Sequence, residues 1–319
     1  MTASGDRAKL RLATEYPGGA HLGAAALRSL GVSRRALADC MDRGLLVRSG
    51  RGLYEVPNTA AEDEWRRTVR RSVARSGVGA AAARFTAARL HELSGAPVAC
   101  PVFVTIPRSR SKPRLPGVDL TRSDIPPEDH VLLDDIASTS ALRTALDCVR
   151  FGERVAAVCV VESGARLGRF TLDDVTERLA ALGQSPGTRA GRLALGLADL
   201  RSESPLETAL RLLLLDAGLP HPEPQYPFAL ESIWGRIDLA YPGAQLGAKP
   251  HGRYVGLAIE ADGRTPRETA ATFHHDRVRH TALEEAGWLV RRFTDRAIRR
   301  TPREVVLGVR RALAAVVAG

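Results

Sequence analysis

Two apolar stretches in the last third of the chain each carry a carboxylate at their centre, and that limits how the chain can fold. One is Gly235-Arg236-Ile237-Asp238-Leu239-Ala240-Tyr241-Pro242; the other runs from Arg253 to Asp262 and holds Ala258-Ile259-Glu260-Ala261-Asp262. Side chains alternate along an extended strand, so Ile237 and Leu239 are expected on one face and Asp238 on the other. By the same rule Glu260 and Asp262 share a face. A carboxylate inside an apolar strand is costly to bury without a partner. If the two strands are neighbours, Asp238 and Glu260 converge at one edge of a sheet.

The surrounding pattern gives the elements that frame this edge. Ser204-Pro205-Leu206-Glu207 reads as a helix start, with serine as cap, proline at the first helical position and glutamate at the third. That helix is expected to end at Gly218-Leu219-Pro220. Strands follow at Gln225–Leu230, Gly235–Tyr241 and Arg253–Asp262. Next come a helix from Pro266 to Ala286, a strand at Trp288–Phe293 and a helix from Pro302 to Val317. The order is α-β-β-β-α-β-α. Glu207 reaches the acidic edge from its helix, or serves only as the capping partner of Ser204.

Carboxylates meeting in this way make an oxygen-rich site of the kind that Mg²⁺ or Mn²⁺ prefers. The strings Ser204–Glu207, Gly235–Pro242 and Ala258–Gly263 carry a resemblance, together with Phe273, Asp276-Arg277, Arg279, Leu283, Gly287-Trp288 and Arg291-Arg292-Phe293. As a set they resemble the PD-(D/E)XK nuclease superfamily, and within it the branch related to the very-short-patch-repair endonuclease. The resemblance implies a restriction-endonuclease-like fold, with Asp238 and Glu260 as metal ligands and Glu207 as accessory ligand or base. Asp262 stands where the superfamily often has lysine, which leaves Arg264, Arg277 or a second metal to stabilise the phosphate. Pro266 occupies a position where related sequences carry histidine. His275, beside His274, is the candidate substitute. Both histidines, and Arg277 with Arg279, equally suit a solvated helix face.

The chain has 319 residues, enough for two or three domains, and a formal net charge of +10. Its only lysines are Lys9, Lys112 and Lys249, so the positive charge is almost all arginine. Such a balance suits a polyanionic partner such as nucleic acid, although GC-rich codon usage produces the same bias. No apolar run approaches the roughly 20 residues of a membrane span, and the N-terminus lacks a secretory pattern, which predicts a cytoplasmic protein without membrane contact. Cys40, Cys100, Cys148 and Cys159 are scattered and read as free thiols.

Near the N-terminus the pattern predicts a helix over Gly19–Leu30, a helix over Arg34–Arg43 capped by Ser33, and a hairpin of residues 45–48 and 53–56. That is the order of a winged helix-turn-helix. Ser33, Arg34 and Arg35 would then face DNA from the second helix, and Arg48 and Arg51 from the hairpin. This stretch resembles the N-terminal domain of AbiEi-type antitoxins, as do the strings Phe85–His91 and Ser138–Asp147. The middle region reads as mostly helical α+β. Strands are expected at 102–106 and 118–122, and helices at 61–75, 84–94, 138–149, 153–165, 171–182 and 188–200. The fold class expected is an α/β multidomain chain: residues 1–60 a winged helix-turn-helix, 61–202 the middle domain and 203–319 the nuclease-like domain. The function expected is a Mg-dependent endonuclease or nickase acting on double-stranded DNA. The alternative is a non-enzymatic, antitoxin-like regulator with a degenerate nuclease-type domain.

Overall fold

The computed structural model describes residues 20–42, 46–50, 52–56, 64–230, 233–249, 252–263 and 279–319. The chain is a mixed α/β protein that divides into two compact units. One comprises Met1–Glu92 with Pro97–Asp147; the other comprises Leu93–Ala96 with Cys148–Gly319.

In the first unit, β1 (Ala20–Gly23) leads into α1 (Ala24–Ser29), α2 (Arg34–Asp42), β2 (Val47–Gly50) and β3 (Leu53–Val56). The three strands form an antiparallel sheet in the order β1-β3-β2. The helix expected over 19–30 is therefore a strand followed by a short helix. Leu22, which fits a helical spacing with Ala26, instead pairs across the sheet with Tyr54. Both kinds of element feed one core of Leu22, Leu27, Val32, Ala36, Cys40, Leu46 and Val56. Ser33 caps α2 as expected: its Oγ accepts the Ala36 amide at 3.2 Å.

The same unit holds a five-stranded sheet, ordered β6-β5-β4-β8-β7. It is built from α3 (Glu64–Ser76), β4 (Ala81–Ala82), α4 (Arg84–Leu90), β5 (Val102–Ile106), β6 (Val118–Arg122), β7 (His130–Leu133), β8 (Ile136–Thr139) and α5 (Ala141–Phe151). Ser138 and Thr139 lie in β8 and do not start the helix. Ser140 does, its Oγ accepting the Arg143 amide at 3.2 Å. The Arg143–Asp147 helix pair, at 2.9 Å, belongs to a buried cluster that also includes Asp129 at 3.7 Å and Ser123.

The second unit begins with α6 (Arg154–Arg166), α7 (Leu172–Ala181) and α8 (Thr188–Leu195), followed by α9 (Pro205–Asp216). Ser204 Oγ caps α9 by accepting the Glu207 amide at 3.2 Å. Strands β9 (Glu223–Leu230), β10 (Ile233–Pro242) and β11 (Gly256–Asp262) follow, then helical residues 279–285, β12 (Trp288–Thr294), α10 (Asp295–Arg300) and α11 (Pro302–Ala318). The sheet order is β12-β11-β10-β9; β11 and β12 run parallel and the other neighbours antiparallel. One face buries Leu239, Tyr241, Leu257 and Ile259 under α9, α10 and α11. The other buries Phe228, Ile237, Ala240, Ala258, Trp288 and Val290 against Leu283.

A buried ion pair ties the helices to the sheet layer. Arg211 of α9 donates to Glu162 of α6 at 2.6 Å, and both side chains are about 1% exposed. Both partners make further hydrogen bonds. Glu162 also accepts from the Asp199 amide and from Thr208, and Arg211 also donates to the Leu197 carbonyl and Ser202. Helices before residue 203 thus share a core network with the domain expected to begin there.

Candidate functional site

Asp238 sits where the sheet opens. The β10–β11 register runs from Pro242↔Gly256 to Leu239↔Ile259 and stops one pair short of Asp238. On the β9 side the ladder skips Asp238 as well, and Gln225, which would face it, has φ +52°. The Asp238 carboxylate accepts the Ala261 amide at 2.8 Å, so a side chain rather than the β10 backbone ties the strands at this point. The alternation expected of this strand breaks here. Ile237 packs with Ala240 on one face, whereas Leu239 packs with Tyr241 on the other. Two buried residues flanking Asp238 thus face opposite ways, which turns its carboxylate into the fork.

Glu260 comes from the face that carries Ala258, as strand alternation requires. It is 8% exposed, and its Oε2 accepts a hydrogen bond from Arg279 Nη2. Its Oε1 is buried and has no hydrogen-bond partner among the described residues, and neither has Arg279 Nε. Glu207 approaches from the other face, at the start of α9. Its Oε2 accepts from the Glu203 amide at 2.9 Å and from Gln225 Nε2 at 2.8 Å. The Glu207 carboxylate takes the Glu203 amide rather than the Ser204 amide that a capping box would use, and its charge is felt at Asp238.

The three carboxylates feel one another. Burial, and then the Glu260 charge, push the Asp238 carboxyl up to about 7; Glu207 adds to the rise, while the Ala261 amide and Arg279 oppose it. Even so, among the described residues no three His, Cys, Asp or Glu side chains gather closely enough to hold a metal ion. Glu207, Asp238 and Glu260 share an electrostatic neighbourhood without forming a three-ligand cage. The donor set nevertheless fits a hard divalent cation between Asp238 and Glu260. It is all oxygen, carries excess negative charge and includes a buried acceptor with no donor among the described residues.

Asp262 lies two residues past Glu260 on the same face, partly buried at the end of β11. His275, Arg277 and Pro266 lie outside the described residues, as does Arg51. In the first unit, Ser33, Arg34 and Arg35 are exposed at the start of α2, and Arg48 is exposed on β2. Two residues of the site went unread in the sequence. Arg279 fitted a solvated helix face but bonds Glu260; a signal existed, since it lies one turn before the buried Leu283. Gln225 gave no signal, because its role depends on the break in strand pairing.

No family model matches the chain. The chain is 29% identical over 178 residues to an uncharacterized protein of Mycobacterium tuberculosis, MT2308 in strain CDC 1551 and Rv2248 in strain H37Rv. That match covers 55% of this chain and 61% of the relative, so the chain spans less than two thirds of the relative's length. Among solved structures it is similar to the crystal structure of the RV2827C protein from Mycobacterium tuberculosis. The TM-score is 0.43 at 16% identity, covering 61% of this chain and 77% of the other. No helix among the described residues is long and apolar enough to cross a membrane.

Proposed function

We propose that this protein is a DNA-binding, Mg²⁺- or Mn²⁺-dependent endonuclease or nickase. The observation that carries the reading is Asp238 in the strand fork within reach of the Glu260 charge, with one Glu260 oxygen buried and unpartnered among the described residues. A buried acid raised by the charge of a neighbouring carboxylate serves no packing purpose, and a cation relieves the repulsion. Asp238 and Glu260 would hold the ion. Bound there, it supplies charge stabilisation at a phosphate and a water of lowered pKa. Glu207, fixed by Gln225 and the Glu203 amide, orients the edge of the site. Arg279 places positive charge beside Glu260, where it suits the charge of a neighbouring phosphate. The order β1-α1-α2-β2-β3, with Arg34, Arg35 and Arg48 exposed, supports a winged helix-turn-helix that holds duplex DNA through its backbone.

One observation favours a second reading, a non-enzymatic regulator: Arg279 already neutralises Glu260 from within the chain. Cleavage of supercoiled plasmid in Mg²⁺, Mn²⁺ or EDTA separates the two, with Asp238→Ala and Glu260→Ala alongside. The nuclease reading expects metal-dependent nicking or linearisation that both variants lose. It also expects Mn²⁺ to raise the melting temperature of wild type only. Equal inertness of all three proteins, with DNA still shifted in a gel, makes the protein a regulator.

A further inference from the structure

Trp234 is 85% exposed, the most exposed aromatic ring named among the described residues. The other two tryptophans are accounted for: Trp65 lies under the Arg89 guanidinium, and Trp288 is buried against Tyr226. On β10, a Cβ on Gly235 would meet the Phe228 ring at 3.0 Å, and Ile237 packs in the same cluster as Phe228. Trp234 and Arg236 therefore stand on the opposite face, and Arg236 pairs there with Glu203, the residue whose amide holds Glu207. Trp234 and Arg236 share a face, and two residues further on Asp238 turns into the strand fork, about 13 Å from Trp234 at a strand's rise per residue. Along that line come an exposed aromatic plane, a half-exposed guanidinium and the acid pair.

We propose that Trp234 stacks on an unpaired base of the nucleic acid whose phosphate lies at Asp238 and Glu260, so that the substrate presents single-stranded nucleotides beside the cleaved bond. This rests on the nucleic-acid reading of the acid site. A π-face recognises any base without reading its sequence, and the next group along the line is a cation suited to the intervening phosphate. Among the described residues the ring's same-face neighbours are the small Ala229 and Pro227 and the half-exposed Arg236, so a guanidinium flanks it rather than the large apolar patch a protein partner needs.

The test titrates the full-length protein, in EDTA, with a single-stranded oligodeoxynucleotide and a blunt duplex of the same sequence while following tryptophan emission. The single strand is expected to quench emission and the duplex to leave it nearly unchanged. Trp234→Phe abolishes the quench yet binds within about threefold of wild type, because phenylalanine still stacks; Trp234→Ala binds the single strand about tenfold more weakly. Equal quenching by duplex overturns the assignment, as does full single-strand affinity in Trp234→Ala. A concentration-dependent blue shift without nucleic acid gives Trp234 to a protein contact and also overturns it. Because EDTA removes cleavage from the assay, quenching by a protein that never cuts supports the stacking site while removing the nuclease. Cutting without quenching does the reverse.

Discussion

Asp238 has a carboxyl that titrates near 3.8 in an unfolded chain and at about 7 in the folded one. Between those values the folded protein holds a proton that the unfolded chain has released. Stability therefore falls as pH rises from 4 to 7, and the penalty is complete above 7. Asp238→Asn keeps an oxygen for the Ala261 amide and removes the penalty. Urea melts are expected to place it on the order of 2–4 kcal/mol above wild type at pH 8 and level with it at pH 4. Parallel pH profiles for the two proteins would show that the carboxyl is not perturbed. The proposed metal binding has the opposite dependence, because the ion requires the carboxylate; Mn²⁺ affinity should fall about fivefold between pH 7 and pH 6. The acids themselves were legible in the sequence, since a carboxylate in an apolar strand is conspicuous. Their arrangement was not, because the flip between Ile237 and Leu239 depends on where pairing with β9 and β11 fails.

Elements defined by local signals were read well. Ser204-Pro205-Leu206-Glu207 starts α9 through its own cap, and Ser204→Ala should cost about 1 kcal/mol in a thermal or urea melt. Elements defined by distant partners were not. β1 exists because Leu53–Val56 pairs with it, and a helical spacing of Leu22 with Ala26 carries no trace of that. At α5 the helix was expected to start at Ser138, but Ser138 and Thr139 pair with β7 in β8 and the cap falls to Ser140. The close approach in the second sheet makes one substitution diagnostic. A Cβ on Gly256 would lie 2.7 Å from the Tyr241 carbonyl oxygen and 2.6 Å from the Trp288 ring. Gly256→Ala should therefore cost about 1–3 kcal/mol by forcing β10, β11 and β12 apart, and the same melts read it.

Across the whole molecule, the composition expected of a multidomain α/β chain is matched by two compact units, the second of which takes in α6 to α8. Composition marks no seam there, because what joins those helices to α9 includes a buried ion pair between residues far apart in the sequence. Arg211→Met leaves the Glu162 carboxylate buried without its cation and is expected to cost about 3–5 kcal/mol in urea melts. A fragment of residues 203–319 loses Glu162 entirely and should lack a cooperative melt, whereas residues 148–319 should retain one. Circular dichroism of the two fragments checks this. The same pair also restricts how such a sequence can drift. Either residue replaced alone strands a charge in the interior, whereas both replaced by apolar side chains of similar volume leave none. Positions 162 and 211 are thus expected to change together among homologues, in one lineage an acid facing a base and in another two hydrocarbons, with the mixed combinations purged.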